Sequence, residues 1–354
     1  MYQRQQTVVW SVALAVALVL VSVLSATVGP VAIPPAAVAK AILNDVALPT
    51  LALGLQPTVS WIHPFSFAVE DSHAVIVTQL RLPRIALGAA VGFALATAGA
   101  VMQGFFRNPM ADPSIIGVST GAAVGAVVAI VFQPAVPLVP DLQGLAFTTA
   151  LMAGFAVYLV AREGGRTPVA TLLLAGVAIQ TFLGAVVSYT LLFAGDSLER
   201  AVYWLMGHLH AASWGKVGAI WPIAVLGFLA TLAYARDLNV LLVGEDDAHT
   251  LGVEVERTKR VLLAVSSILT AAAVAVAGVI GFVGLVVPHV MRLIVGPDHR
   301  ILLPTSALAG AGFLVATDTL ARAGPAEVPV GIVTAALGAP FFLYLLRDRE
   351  VHSL

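Results

Sequence analysis

Ten apolar segments, most of them close to 20 residues long, follow one another along this chain of 354 residues. About 20 residues of α-helix, rising 1.5 Å each, cross the roughly 30 Å hydrocarbon layer of a bilayer. The mean hydropathy of +0.97 is far above that of a soluble domain. The pattern predicts an all-α polytopic membrane protein with about ten transmembrane helices, in a single transmembrane domain, residues 1–354. The segments are residues 8–28, 83–105, 114–132, 142–161, 168–194, 217–235, 261–282, 283–295, 302–321 and 328–346.

Two of these segments leave alternatives open. Residues 8–28 are longer than the apolar core of a signal peptide, so we expect a retained helix rather than a cleaved signal. Residues 283–295 are short and contain Pro288 and His289. They form either a kinked extension of the preceding helix or a separate short helix.

The basic residues indicate which side of the membrane each loop faces. With the N-terminus inside, twelve Lys and Arg residues fall on the inner side and six on the outer side. Cytoplasmic loops carry an excess of these residues. Both termini and the loop 236–260 are therefore predicted to be cytoplasmic, in a multi-pass protein of the cytoplasmic cell membrane. The six outer residues are Lys40, Arg81, Arg84, Arg200, Lys216 and Arg322.

Proline and small residues predict how the segments are connected and packed. Six prolines between residues 29 and 79 exclude one long helix and predict an ordered external loop, with short helical pieces near residues 36–45. Small residues then recur every fourth position in the second and third segments, a spacing that lets helices approach closely in lipid. They are Gly88, Gly92, Ala96 and Ala100, followed by Gly117, Gly121 and Gly125.

The loop 236–260 is densely charged and must lie in water. Its centre, Gly244 to Gly252, predicts a short helix, because acidic residues favour the first turn and Gly252 can end it in a left-handed conformation. Leu251 and Val253 would form a small apolar tip. The loop is either a plain connection between membrane helices or a docking helix for a soluble partner.

Composition excludes several kinds of site. The chain has no Cys, which removes disulfides, thiolate metal sites and cysteine catalysis, and its net charge of −1 gives no basis for binding nucleic acid. It contains no GxxxxGK[ST] phosphate loop. His208 and His210, and also His289 and His299, lack an HExxH motif or clustered carboxylates. We therefore expect no metal site and no catalytic residue.

Five motifs occur in order from residue 80 onward. They are LRLPR (80–84), GAVMQGFFRNPMADPSIIGVSTGAAVGA (99–126), LLVGEDDAHTLGV (241–253), FVGLVVPHVMRLIVGPDHRILLP (282–304) and VPVGIVTAALGAP (328–340). With them the chain resembles the permease subunits of binding-protein-dependent type II ABC importers for iron chelates, haem and vitamin B12. The resemblance implies a homodimer in membrane lipid, bound to two ABC ATPase subunits and an external substrate-binding protein. The ATPase would use ATP and Mg²⁺, and this chain would bind no cofactor.

The resemblance also implies roles for particular residues. Arg81, Arg84 and Arg322 would dock the binding protein, and their guanidinium groups suit carboxylate partners. Alternatively, Arg81 and Arg84 only anchor a helix at the lipid interface. The ATPase coupling helix would consist of Gly244, Glu245, Asp246, Asp247, Ala248, His249, Thr250, Leu251 and Gly252.

An inner gate is implied at Asn108 and Met110 and at Val169 and Ala170. A vitamin B12 permease has small hydroxyl residues where this chain has Val169 and Ala170, so the gate is expected to be more apolar. An apolar constriction can still close a pore by dewetting.

Three functions compete. An ABC importer permease is favoured, and the match in AGAVMQ and GIVTAALGAP favours cobalamin as its cargo over a ferric siderophore or haem. An ion-coupled secondary transporter would need ionisable residues at mid-membrane depth, whereas the acids here lie almost all in loops. A membrane-embedded enzyme would need a clustered site that the sequence does not contain.

Overall fold

The computed structural model describes residues 2–52, 58–133, 141–324 and 326–352, and these are almost entirely helical. In chain order the helices are α1 (Tyr2–Thr27), α2 (Pro35–Asp45), α3 (Asp71–Val75), α4 (Leu82–Phe105), α5 (Val118–Phe132), α6 (Leu142–Ala161), α7 (Val169–Leu191), α8 (Leu198–Leu205), α9 (Trp214–Ala233), α10 (Ala235–Leu241), α11 (Glu245–Thr250), α12 (Val255–Ala277), α13 (Val283–Val295), α14 (His299–Ala321) and α15 (Val330–His352). Two antiparallel strands, β1 (Leu48–Ala52) and β2 (Thr58–Ile62), lie between α2 and α3.

The predicted ten-helix membrane architecture is confirmed. Seven helical stretches of the described chain are long and apolar enough to cross a bilayer, and three shorter apolar helices, α5, α13 and α15, complete the ten. The open question about residues 283–295 is settled, because α12 ends at Ala277 and α13 is a separate helix. The break lies at Gly278 and Phe282, which both have positive φ. A Cβ on Gly278 would lie 2.2 Å from the carbonyl oxygen of Trp204, so only glycine fits there.

Helix α4 is the centre of the bundle, with 89% of its apolar window buried. It packs against α12, α13 and α14. A Cβ on Gly92 would lie 2.2 Å from the carbonyl oxygen of Gly310, so the α4 and α14 backbones are nearly in contact. Ala96 also faces Gly310. The predicted close-packing stripe is therefore confirmed at the positions where α4 crosses α14.

The helical stretch leading into α4 begins earlier than the sequence suggests. The loop expected over residues 29–79 ends at Asp71, where α3 starts, and a π-helical turn, Ile76–Arg81, joins α3 to α4. Pro83 lies just after this turn, where its ring would clash with the carbonyl four residues earlier in a regular α-helix. A π-helical turn relieves such a conflict within a continuous helix.

The loop 236–260 is also more helical than expected. Helix α10 begins at Ala235, and α12 begins at Val255, before the end expected for the loop at residue 260. Only short turns separate α10, α11 and α12. The segment is a compact helical cap on the end of the bundle rather than an extended connection.

Helix α7 has the opposite character to α4, with only 17% of its apolar window buried. Large apolar side chains on it are exposed, among them Leu174 at 72%, Phe182 at 67% and Tyr189 at 65%. This helix needs lipid or another protein surface to cover it.

Candidate functional site

The short helix α11 has the start and end that the sequence predicts. Gly244 precedes it, three acidic residues occupy its first turn, and Gly252 follows it with φ of +82°. The amides of Gly252 and Val253 donate to carbonyl oxygens of His249 and Ala248 and close its C-terminal end. The helix is therefore well defined although it has only six residues.

Lys259 connects this helix to the rest of the chain. Its Nζ lies 3.0 Å from Glu245 Oε1 of α11 and 3.5 Å from Glu256 Oε1 of its own helix, α12. It also donates a 2.7 Å hydrogen bond to the carbonyl oxygen of Thr167, two residues before α7 begins. The side chain is only 4% exposed. Helix α11 and the start of α7 are thus linked through one buried ammonium group.

The apolar tip of the loop differs from the prediction in one residue. Leu251 is 63% exposed, as expected. Val253 instead packs on a small core formed by Leu241, Ala248 and Val255, so the prediction for Val253 is wrong. Val243, which precedes Gly244, is a further exposed apolar residue of this loop, at 67%. No periodic pattern in the sequence marks it as exposed.

Of the residues predicted as the inner gate, Asn108 and Met110 lie in the turn that follows α4, and Val169 and Ala170 lie in the first turn of α7. Asn108 is exposed, and its Oδ1 accepts a hydrogen bond of 2.9 Å from the Met110 amide. Val169 packs partly on the core, whereas Ala170 is exposed. A constriction formed by two copies of a chain requires residues that are exposed in each copy. Asn108 and Ala170 are both exposed. The gate role itself stays a prediction.

Helix α7 rests on the segment that follows the first of these turns. Gln180 donates a 2.6 Å hydrogen bond to the carbonyl oxygen of Ile115, and a Cβ on Gly176 would lie 2.3 Å from that same oxygen. This oxygen belongs to the 3₁₀ turn Pro113–Ile116, which Asp112 caps by accepting a hydrogen bond from the Ser114 amide. The polar side chain of Gln180 thus stabilises the contact between α7 and this 3₁₀ turn.

On the outer side, two of the three predicted docking arginines are buried. Arg81 is 5% exposed, and it donates to the carbonyl oxygens of Ala26, at 2.6 Å, and of Val31. Arg322 is 6% exposed, and it donates to those of Ser25 and Val28, at 2.7 and 2.6 Å. The carbonyls of Ser25 and Ala26 lie in the last turn of α1, where helix carbonyls have no partner in the helix and where cations are favoured, and those of Val28 and Val31 lie in the segment that follows.

Arg84, the third, forms the centre of an ion cluster. Its Nε and Nη2 donate to both carboxylate oxygens of Asp318, at 2.9 and 2.7 Å, and Nη2 also lies 2.8 Å from Glu327. Asp318 also lies 3.4 Å from Arg322, which is a longer contact than its pairing with Arg84. The docking role of the three arginines stays a prediction, since each already has partners within the chain.

A second outer feature is the loop between α8 and α9. His208 and His210 lie there with ring centroids 4.3 Å apart, next to Tyr203. Burial lowers the pKa of His208 to about 4, with smaller contributions from neighbouring cationic groups, so its imidazole is neutral near pH 7. Within the described part of the chain, no group of three or more His, Cys, Asp or Glu residues is arranged to hold a metal ion.

Comparison with known proteins shows which family has this architecture. The sequence profile of the FecCD transport family matches residues 16–348. The cobalamin import system permease protein BtuC of Halobacterium salinarum is 56% identical over an alignment of 365 positions, covering 99% of this chain and 98% of that protein. The hemin transport system permease protein HmuU of Yersinia pestis is 46% identical over 298 positions, covering 81% of this chain and 87% of that protein.

A solved structure extends the similarity to three dimensions. It shows an inward-facing conformation of a protein assigned to the metal-chelate type of ABC transporters. The two structures share a TM-score of 0.78 and 30% identity, over 96% of this chain and 98% of that one. Profile, relatives and structure cover nearly the whole ten-helix bundle, and they establish that the chain belongs to the FecCD transport family.

Proposed function

We propose that this chain is the permease subunit of an ABC importer, driven by a separate ATPase. The observation that carries the proposal is the link from α11 through Lys259 to the start of α7. A force applied to an exposed cytoplasmic helix reaches a membrane helix through this buried contact. Rigid-body coupling of this kind needs a stiff element between the two parts.

The ATPase would bind the tip of α11. Leu251 and Val243 are exposed there, and a groove of about 530 Å³ beside them is lined by Arg166, Glu245, Asp246, His249 and the segment 252–257. An apolar tip surrounded by charged residues suits a protein interface with a polar rim. ATP and Mg²⁺ belong to that partner, and this chain binds no cofactor.

A second copy of the chain would complete the translocation path. The exposed apolar face of α7 and the exposed gate residues Asn108 and Ala170 support a homodimer. Both termini and α11 would face the cytoplasm, and the arginine cluster around Asp318 would face an external substrate-binding protein. Because Arg81 and Arg322 already hold the end of α1, docking through this cluster would depend mainly on Arg84 and on the exposed residues around it.

Cobalamin is the proposed cargo. The 56% identical relative, which aligns along the whole chain, is a cobalamin import permease by name. Haem or a ferric siderophore is the alternative, since a hemin permease is 46% identical over most of the chain. All are bulky metal chelates, so the fold would serve each of them in the same way.

An ion-coupled secondary transporter remains the alternative from another class. Such a transporter needs an ionisable group that is free to bind the coupling ion. Asp318 is buried, and Arg84 already holds both of its oxygens; Asp112, also enclosed by the protein, accepts hydrogen bonds from the amide and hydroxyl of Ser114. This pairing argues against an ion-binding role.

The test is uptake of radiolabelled cobalamin into vesicles that contain this permease with its ATPase and binding protein, in parallel with haemin and a ferric siderophore. ATP-dependent uptake of cobalamin, abolished by deletion of residues 245–252, is the expected result. Uptake of another chelate would change the cargo and keep the mechanism. Uptake that needs an ion gradient and is indifferent to ATP would overturn the proposal.

A further inference from the structure

The two imidazoles on the outer loop line a cavity. His208 and His210, together with Tyr203, form part of the wall of a pocket of about 540 Å³ between the outer ends of α5, α6, α8, α9 and α12. His210 is exposed, whereas His208 is only 9% exposed. The pair thus offers one imidazole at the opening and one further inside.

The inner imidazole has an unused ring nitrogen. His208 Nδ1 is buried and has no hydrogen-bond partner among the described residues. Buried polar atoms are nearly always paired, and an exception beside a cavity needs a reason. Because this nitrogen is enclosed, a small rotation of the ring would be needed to turn it toward a ligand in the cavity that His208 lines.

Imidazole nitrogens are the commonest protein ligands for transition metals. Two of them are fewer than the three or four protein ligands that hold a bare ion firmly. Since the described residues offer no third His, Cys, Asp or Glu in such a group, the pair suits a metal that brings most of its ligands with it and needs one imidazole nitrogen at a single open axial position.

The charged residues that line the cavity also suit a metal chelate. Arg200 and Lys216 line it, and neither forms an ion pair with another residue in the described part of the chain. Glu199 and Glu327 also line it, so the cavity as a whole does not concentrate cations. The two cations can attract the anionic groups at the edge of a chelate.

We propose that His208 and His210 form a coordination site at the outer mouth for the metal of a chelate with an exchangeable axial ligand. Arg200 and Lys216 would bind anionic groups on its periphery. On binding, the lone pair of an imidazole nitrogen replaces a water on the metal, that water leaves, and no electron is transferred. This inference rests on the proposed function in one respect, that the cargo is a metal chelate.

Visible absorption titrations of the full-length permease in nanodiscs test the site. Aquocobalamin and haemin carry exchangeable axial ligands and serve as probes. Cyanocobalamin, whose axial positions are filled, and a ferric hydroxamate, whose iron is saturated, serve as matched controls. A ligand-field or Soret band shift is expected with at least one of the two probes and with neither control.

The variants separate coordination from packing. The double variant His208→Gln/His210→Gln should weaken the spectral titration by about tenfold or more, since even indirect support of a metal ligand is worth that much. His210→Phe keeps a ring against Tyr203 and removes the ligand nitrogen, and it should weaken the titration as well. His63→Gln, at an exposed histidine of the same side, should leave it unchanged.

Several outcomes would overturn the inference. Equal binding of aquocobalamin and cyanocobalamin would exclude coordination, and binding of Co²⁺ alone, without either chelate, would make the site one for a bare ion. ATP-driven uptake without any spectral shift would keep the proposed function and reject this site. A shift that the double variant abolishes, in a complex without ATP-driven uptake, would keep the site and reject the proposed function.

Discussion

Lys259 Nζ donates a 2.7 Å hydrogen bond to the carbonyl oxygen of Thr167, 92 residues earlier in the chain. The same ammonium group pairs with Glu245 at the start of α11. One side chain therefore connects α11, which precedes it in the chain, with the membrane helix α7. This contact could not be predicted from the sequence, because neither the loop that contains Thr167 nor the loop that contains Glu245 indicates it by composition or spacing.

The first prediction concerns this connection. Lys259→Met should destabilise the chain by about 2 kcal/mol, since it leaves a buried carbonyl and two carboxylates without their charged partner. It should also reduce ATP-driven uptake more than it reduces the amount of folded complex. Thermal unfolding in detergent and vesicle uptake measure the two effects.

Arg257→Met is the matched control for Lys259. Arg257 lies on the same helix, two residues earlier, but it is 69% exposed and pairs only with the exposed Glu254. Surface pairs contribute little, so the change should stay within about 0.5 kcal/mol. Similar losses in the two variants would show that the link through Lys259 has no special role.

The second prediction separates the two carboxylates that bind Arg84. Asp318→Asn should destabilise the outer cluster by about 3 kcal/mol, because a buried, bidentate partner of Arg84 loses its charge. Glu327→Gln should cost less than about 1 kcal/mol, because Glu327 is 37% exposed and screened by water. Thermal unfolding of the two variants checks the order, and a larger loss from Glu327→Gln would contradict it.

The third prediction concerns the end of α11. Gly252 has φ of +82° with open space around it, so Gly252→Ala meets no neighbour and its cost is purely conformational, about 1 kcal/mol. The coupling helix should fray, and ATPase stimulation by the loaded binding protein should fall. Gly184→Ala is the control, because Gly184 also has open space but lies within α7 without a positive φ. That change should be neutral or slightly stabilising.

Much of the fold could be predicted because it depends on local signals. Lipid forces each apolar segment into a helix, so length and hydropathy were enough to count ten of them. The stripe around Gly92 predicted a close helix contact from spacing alone. Gly252 predicted the end of α11, since a left-handed cap is a property of one residue.

The rest depends on which parts of the chain meet. From the sequence, Arg81 and Arg322 were predicted to be free cations on the outer side. Their partners are backbone carbonyl oxygens at and just after the end of α1, and such oxygens are present whatever the side chains there. Val253 read as an exposed tip because the small core around Leu241 is formed by three segments together. The π-helical turn before Pro83 required knowing that the helix begins at Asp71.

The fourth prediction tests the contact between α4 and α14. Gly92→Ala places a methyl group where the Gly310 carbonyl oxygen lies 2.2 Å away, so the two helices must separate. Overpacking of this kind costs about 1–3 kcal/mol. Gly312→Ala is the control: Gly312 lies on α14 like Gly310 but faces open space, so the change should be tolerated. Folded yield and thermal unfolding in detergent measure both, and equal tolerance of the two would contradict the close approach.

The fifth prediction decides what Arg322 does. If it holds the end of α1, Arg322→Gln leaves the carbonyls of Ser25 and Val28 without a charged donor, and that end of the helix opens more often. A charged hydrogen bond is worth about 1.5–3 kcal/mol, so opening should rise about tenfold or more. Because the native chain has no Cys, a Val28→Cys reporter needs no other change, and its labelling rate measures the opening.

Arg200→Gln, at an exposed outer arginine, is the control for this comparison. It should leave the labelling of the Val28→Cys reporter unchanged. Affinity for the binding protein, measured on the same preparations, completes the distinction. Faster labelling in the Arg322→Gln variant means that Arg322 acts on α1 first, and any loss of affinity then follows from the displaced helix end. Lost affinity with unchanged labelling would instead assign Arg322 to direct docking, because the α1 carbonyls would then not depend on it.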